Sequence, residues 1–321
     1  MLVTAILVVA ILIVAVTSLV VRGAGVAPSE AFGVFTGNQD GFPATVVLQW
    51  RLPRVLAAIV IGAALGVAGA IFQSLTRNPL GSPDVIGFNT GAYTGVLVVI
   101  FAGAGSFAAT AAGAIAGGTV AAAAVYLLCL RSGSTGLRMV VVGLGISAAL
   151  TAANRWLIRS AELETSMAAA TWGAGTLNGL RWPQVVPGVL ALLVLIAAAG
   201  LSARRLDLFD MGDEAAQGLG LPLRATQLWL MMAGVGLTAC STALAGPISF
   251  VALAAPHIAR ALTRGSRMSL APIAATGALI LVVADLAAQR LFAPTQLPVG
   301  VVTVTIGGIY LVTLLAQEAR R

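Results

Sequence analysis

Few residues in this chain have the type and spacing to do covalent chemistry. A single histidine, His257, and two cysteines, Cys129 and Cys240, lie in separate apolar runs. No two of them have zinc-ligand spacing, and the cysteines read as small core hydrophobes. All eighteen basic residues are arginine. The lack of lysine excludes a phosphate-binding P-loop and Schiff-base catalysis, since both need its amine. Asp285 is the one acid well inside an apolar run, where an ionisable group is either functional or holds a polar contact. His257, near the end of its run, reads as structural rather than as a pH sensor. No catalytic residue, metal site or cofactor site emerges. What the chain offers instead is recognition by charge, concentrated in one stretch.

That stretch is 204–224, RRLDLFDMGDEAAQGLGLPLR. Six charged residues (Arg204, Arg205, Asp207, Asp210, Asp213 and Glu214) fall within eleven positions between apolar runs. A charge at the centre of a spanning helix costs ~2.5–3.5 kcal/mol on insertion scales, so this segment belongs outside the hydrocarbon. Asp210 or Asp213 can cap a helix, Glu214-Ala215-Ala216-Gln217 favour one, and Gly220 with Pro222 end it. A short amphipathic helix on the surface of a membrane protein suits a soluble partner.

The remaining elements must place that handle. The chain has 321 residues, 59% hydrophobic and 9% charged, with a mean hydropathy of +1.00. Soluble proteins are roughly 25% charged, so this is an all-α, polytopic membrane protein, and residues 1–321 read as one transmembrane domain. A span needs ~20 apolar residues, which predicts ten helices near 2–21, 55–76, 85–102, 107–130, 138–158, 183–203, 225–243, 247–264, 269–291 and 299–317. The first is read as a span rather than a signal peptide, and the eighth, with Pro256, His257 and Arg260, as short or broken. Residues 165–180 read as an outer interfacial or re-entrant piece. Ten spans put both termini on one side. With the termini inside, eleven arginines face the cytoplasm and seven (Arg22, Arg51, Arg54, Arg155, Arg159, Arg181 and Arg290) face outward. That agrees with the positive-inside bias, which also explains the net charge of +7 without nucleic acid. The pairs Gly62/Gly66, Gly91/Gly95 and Gly113/Gly117 predict close helix packing.

From Arg51 the sequence runs RLPRVLAAIVIGAALGVAGAIFQSLTRNPLGSPDVIGFNTGA to Ala92. The RLPR start, the late Gln73, the Arg77-Asn78-Pro79-Leu80 loop with Pro83, and Gly87 through Gly91-Ala92 resemble the permeases of binding-protein-dependent ABC importers for ferric siderophores, haem and cobalamin. GPISFVALAAPHIAR (Gly246–Arg260), Ala284-Asp285 and Leu297-Pro298-Val299-Gly300 resemble later blocks of that family, in order. Gly307-Gly308-Ile309-Tyr310 departs from its G-x-P-x-F, and Gln296 replaces an outer acid. With GPISF and GGIYL, the chain looks most like a ferric-enterobactin-type subunit.

The resemblance implies a transport subunit rather than an enzyme, with ATP hydrolysis on a separate subunit, and a multi-pass protein of the cytoplasmic membrane. Its implied partners are a second permease (a heterodimer over a homodimer), two ATP-binding cassette subunits, an extracytoplasmic substrate-binding protein, a ferric siderophore and membrane lipid. Asp213, Glu214, Ala215, Ala216, Leu219 and Gly220 match the family's coupling segment, which docks on the ATPase. Arg51 and Arg54 match sockets for glutamates of the binding protein, a task suited to the bidentate guanidinium fork; interfacial anchoring is the plainer reading. The family's third docking arginine falls at Gln289, and Arg290 lies one residue, about 100° of helix, further on. Arg77, Asn78, Pro79, His257 and Arg260 belong to cytoplasmic loops. Ser134 and Thr135 match a cytoplasmic gate and equally a plain SGSTG turn.

Overall fold

The computed structural model describes residues 2–22, 24–104, 106–130, 136–263, 269–293 and 295–318; Ser134 and Thr135 lie outside them. Among the described residues the regular elements are helices: α1 (Leu2–Val20), α2 (Pro28–Phe35), α3 (Phe42–Ala44), α4 (Leu52–Thr76), α5 (Phe88–Phe101), α6 (Phe107–Leu130), α7 (Gly136–Ser160), α8 (Leu163–Gly173), α9 (Trp182–Leu201), α10 (Ala203–Asp210), α11 (Asp213–Gly218), α12 (Leu223–Ala245), α13 (Val251–Thr263), α14 (Leu270–Arg290) and α15 (Val299–Glu318). The ten expected spans correspond to α1, α4–α7, α9 and α12–α15. Seven of these are long and apolar enough to cross a membrane on length and composition, whereas Phe88–Phe101 and Val299–Tyr310 are shorter. α13 has only thirteen residues, as its polar content suggested.

The second span differs from its expected 55–76 limits. Helix runs without interruption from Phe42 to Thr76, passing through a π-helical turn at Thr45–Arg51 that links α3 to α4. There the Leu52 N–H bonds to the carbonyl of Val47, five residues back. In that register the partner of the Leu48 carbonyl is residue 53, a proline with no N–H to give. The indole Nε1 of Trp182 donates to Leu48 O instead, at 2.9 Å. An orphaned carbonyl is thereby satisfied within the protein, and Pro53 can sit inside a helix that its sequence seemed to start.

α4 is the hub, buried along almost its whole length and packed by α9, α12, α13 and α14. Small residues permit this. At Gly62 an added Cβ would collide with the backbone of Gly277 and Ala278 on α14, and at Gly69 with that of Ala252 on α13. Gly91 and Gly95 of α5 meet Gly113 and Gly117 of α6 in the same way, backbone on backbone. Lipid supplies no hydrophobic drive between helices, so such close van der Waals contact is what joins them.

The expected re-entrant piece is the short helix α8, where the Tyr93 hydroxyl donates to Ala169 O at 3.0 Å and the Tyr93 ring stacks on Trp172. Beyond it, Thr176 N–H reaches Ala245 O at 2.6 Å and Gly300 N–H reaches Gly175 O at 3.0 Å. The non-helical backbone between α8 and α9 is thereby bonded to the end of α12 and the start of α15, satisfied inside the protein as irregular chain within a membrane bundle requires.

Gly117→Val is expected to abolish most of the folded, monodisperse protein in detergent, because its Cβ would lie 2.9 Å from Gly95 Cα. Gly118→Ala, with its nearest neighbour at 3.6 Å, should leave the yield unchanged. Equal yields from the two variants, measured by size-exclusion chromatography, would contradict the packing argument.

Candidate functional site

The charged groups gather at the two ends of α4. Its 25 residues rise 1.5 Å each, about 37 Å in all, enough to cross the ~30 Å hydrocarbon. At the Arg51 end, Arg22, Arg51, Arg54, Arg181 and Arg290 line one cavity of about 580 Å³. The sequence already placed these five on a common side, and the fold brings them to one spot. They are not equivalent. Arg54 is buried and forks onto Asp285, with Nε 2.9 Å from Oδ2 and Nη2 2.7 Å from Oδ1. Its Nη1 donates to Gln296 Oε1 at 2.9 Å, and Gln289 Nε2 donates to Asp285 Oδ2 at 2.8 Å. Asp285 thus has a polar partner's role, and the residue standing where the family has its third arginine supports the same carboxylate. Arg54, which the resemblance marks as a socket for a binding-protein glutamate, has its fork on the carboxylate of Asp285 within the chain.

Arg51 and Arg290 grip the end of α1. Arg51 Nη1 donates to Leu19 O at 2.6 Å, and Arg290 Nη1 donates to Arg22 O. Cations satisfy the last carbonyls of a helix in this way. Each guanidinium carries five N–H donors, and the Arg290 Nε is buried without a partner. Arg181 lies over the Trp50 ring, 5.2 Å from its centroid. Arg22 and Arg181 were not singled out in the sequence; their signal was only the excess of arginines on that side.

At the Arg77 end, the polar stretch folds as two helices, α10 and α11, rather than one. Gly212 at φ +102° makes the turn and is the N-cap of α11, so neither Asp210 nor Asp213 caps. Asp213 instead pairs with Arg77, Nη2 to Oδ1 at 2.6 Å. Both partners are half exposed, so the pair contributes at most about 1 kcal/mol. Arg77 ends α4 in the left-handed conformation, φ +49°. Glu214, Ala215, Leu219 and Gly220 are exposed and Ala216 is fully buried. Burial pushes the Asp210 carboxyl above its usual range, against the pull of a hydrogen bond with Ser74 and the charges of Arg260 and Arg77.

The remaining residues converge here, although His257 and Arg260, expected in loops, lie on α13 because the helix continues through Pro256 to Thr263. His257 Nε2 lies 2.8 Å from Pro79 O, Arg260 Nη2 donates to Gln73 Oε1 at 2.5 Å, and Gln73 Nε2 donates to Leu253 O at 3.2 Å. Asn78 Oδ1 accepts the Leu80 N–H at 2.9 Å, turning the loop. One acid escaped notice in the sequence because it sits in a Pro- and Gly-rich loop that reads as a solvated turn. This is Asp84, which is only partly exposed. Burial raises its carboxyl to about 7 against hydrogen bonds from the Phe250 N–H and Asn89.

Removing one member of a buried ion pair costs about 3–5 kcal/mol, chiefly by stranding the other charge. Asp285→Ala should therefore lower thermal stability more than the double variant Arg54→Ala/Asp285→Ala does. Simple additivity across the four proteins, read from their unfolding midpoints, would contradict the pairing.

Comparison with known proteins gives this geometry a family. Residues 8–317 match the FecCD transport family. The chain is 51% identical, over 91% of its length and 89% of the relative's, to the ferric enterobactin transport system permease protein FepG of Escherichia coli (strain K12). It is 36% identical to that organism's Fe(3+) dicitrate transport system permease protein FecD, over 85% of each chain. The fold superposes on a metal-chelate-type ABC transporter solved in an inward-facing conformation, with a TM-score of 0.85, 25% identity and 98% of each chain covered. With nearly its whole length matched and half its residues shared with such a permease, the chain belongs to the FecCD transport family.

Proposed function

We propose that this chain is the transmembrane permease subunit of a binding-protein-dependent ABC importer for a ferric siderophore of the catecholate class. The observation that carries the reading is the 51% identity, across nine tenths of the chain, to a permease named for ferric enterobactin. Haem and cobalamin are the alternative cargoes. An ion-coupled secondary transporter would need intramembrane acids for its ion, and Asp285 is already engaged by Arg54.

In this reading the Arg77 end faces the cytoplasm with both termini, and the five-arginine cavity faces outward. Two ATP-binding cassette subunits dock on the 213–220 knuckle, which offers exposed Glu214 beside Met211 and Leu219, 62% and 60% exposed. Apolar side chains so exposed outside the spans fit a partner surface. The binding protein delivers the chelate at the arginine rim, whose clustered positive charge suits carboxylates and which Arg54 with Asp285 keeps rigid. A second, non-identical permease completes the path. The chain performs no covalent step; rigid-body motion of α10 and α11 is passed to α9 and α12, which they join.

In cells deleted for their own catecholate permeases, the operon containing this chain should restore radio-iron uptake from ferric enterobactin, and Glu214→Arg should remove it. Uptake of haem or cobalamin in place of ferric enterobactin would overturn the substrate class, and normal uptake by Glu214→Arg would overturn the coupling role. For the rim, Arg51→Glu with Arg290→Glu should weaken capture of the loaded binding protein by about tenfold or more, the scale of losing charged interface contacts, while the ATPase stays bound. Unchanged capture at moderate salt would contradict docking there.

A further inference from the structure

Phe250 occupies a backbone conformation that a bulky side chain rarely adopts, at φ +70°. Such a residue persists only where its surroundings over-determine it, and these outliers concentrate at switch regions. Its carbonyl accepts the Ala254 N–H at 2.9 Å, so it stands at the N-cap of α13. N-caps are ordinarily extended; this one is left-handed, and its own N–H is taken by a carboxylate from a distant loop. Asp84 Oδ2 accepts the Phe250 N–H at 3.1 Å. The other oxygen, Oδ1, accepts from Asn89 Nδ2 on α5, and Asn89 Oδ1 accepts from Thr242 Oγ1 on α12 at 3.0 Å. One carboxyl therefore ties together the loop after α4, the start of α5, α12 and the start of α13.

The left-handed turn aims the Phe250 ring at α15. The ring lies over Gly307, where even an added Cβ would collide with it. Beside it is an apolar cavity of about 90 Å³, lined by Ile258, Ile280, Thr303 and Tyr310 among others. At its other end the same loop begins at Arg77, paired with Asp213 of α11, and is held at Pro79 O by His257 of α13. The contacts thus run from α11 to Arg77, along the loop to Asp84, then through the Phe250 turn to α15.

We infer that Asp84 is a positioning residue of the transport cycle: by holding the Phe250 N–H it fixes the turn that seats the Phe250 ring on Gly307, so that movement of α11 is transmitted through the Arg77–Gly87 loop to α13 and α15 together. This rests on the permease reading above. Asp84 touches no substrate; it acts through Phe250. Without it the turn relaxes, the ring leaves its seat, and nucleotide hydrolysis proceeds without displacing α15.

The test uses the whole importer (both permeases, ATPase subunits and binding protein) in proteoliposomes, with radio-iron-labelled ferric enterobactin as probe. ATP hydrolysis and uptake are measured together. Asp84→Ala should keep the ATPase rate stimulated by the loaded binding protein but lower uptake per ATP by about fivefold or more, the smallest typical allosteric coupling. Asp84→Asn should restore the ratio, since its amide oxygen can accept the Phe250 N–H once the Asn89 amide rotates. Should Asp84→Ala not assemble, Phe250→Gly carries the test: glycine takes φ +70° freely and keeps the carboxyl's bond, but lacks the ring, and must uncouple to the same degree. A wild-type ratio in Asp84→Ala or Phe250→Gly, or hydrolysis and uptake falling in parallel, overturns the inference. Absence of ATP-driven uptake in the unmodified importer would instead overturn the permease reading, and this inference with it.

Discussion

A helix enclosed on every side must find all its partners within the protein, and α4 is in that position. Its contacts with α13 and α14 are backbone against backbone, which only Gly62, Gly66 and Gly69 allow. Its ends are polar, and each is satisfied by groups distant in sequence. At one end Arg54 takes Asp285 and Gln296, and at the other Gln73 and Arg77 take Arg260 and Asp213. A rod so fixed cannot flex in its middle without losing close packing.

The two ends are built on different physics. The five-arginine end is a scaffold of buried pairing and carbonyl capping. Arg54 and Asp285 hold each other away from water, where the pair is strong but costly to disturb. At the opposite end the buried Gln73 contacts stand beside the exposed, individually weak Arg77–Asp213 pair that holds the 213–220 knuckle, and such a pair suits a joint that must move. Rigidity at one end and compliance at the other agree with receiving a docked protein on one side and a mechanical input on the other.

Much of this was legible in the sequence. Apart from the start of the second span, the apolar runs placed the spanning helices to within a few residues, the glycine pairs marked the tight contacts, and the 204–224 stretch stood out by charge alone. The arginines of the Arg51 end were visible as an excess on one side of the ten-span reading, but not as a cluster. The Arg54–Asp285 pair joins residues 231 positions apart, a distance no local pattern encodes. The π-helical turn hid the true start of the second span, since Pro53 there reads as a helix beginning unless Trp182 is known to satisfy Leu48. Asp84 was missed because loop composition says nothing of burial, and the split of the 204–224 stretch at Gly212 because helix-forming residues flank it on both sides.

The central claim is that this chain is a transmission without a motor, moving its cargo only when ATPase subunits act on the 213–220 knuckle. The most direct measurement is uptake of radio-iron-labelled ferric enterobactin into proteoliposomes containing the permease pair and binding protein, with and without the ATPase subunits. The account predicts ATP-dependent accumulation with them and none without. Accumulation by the permease pair alone, with or without an ion gradient, would contradict it.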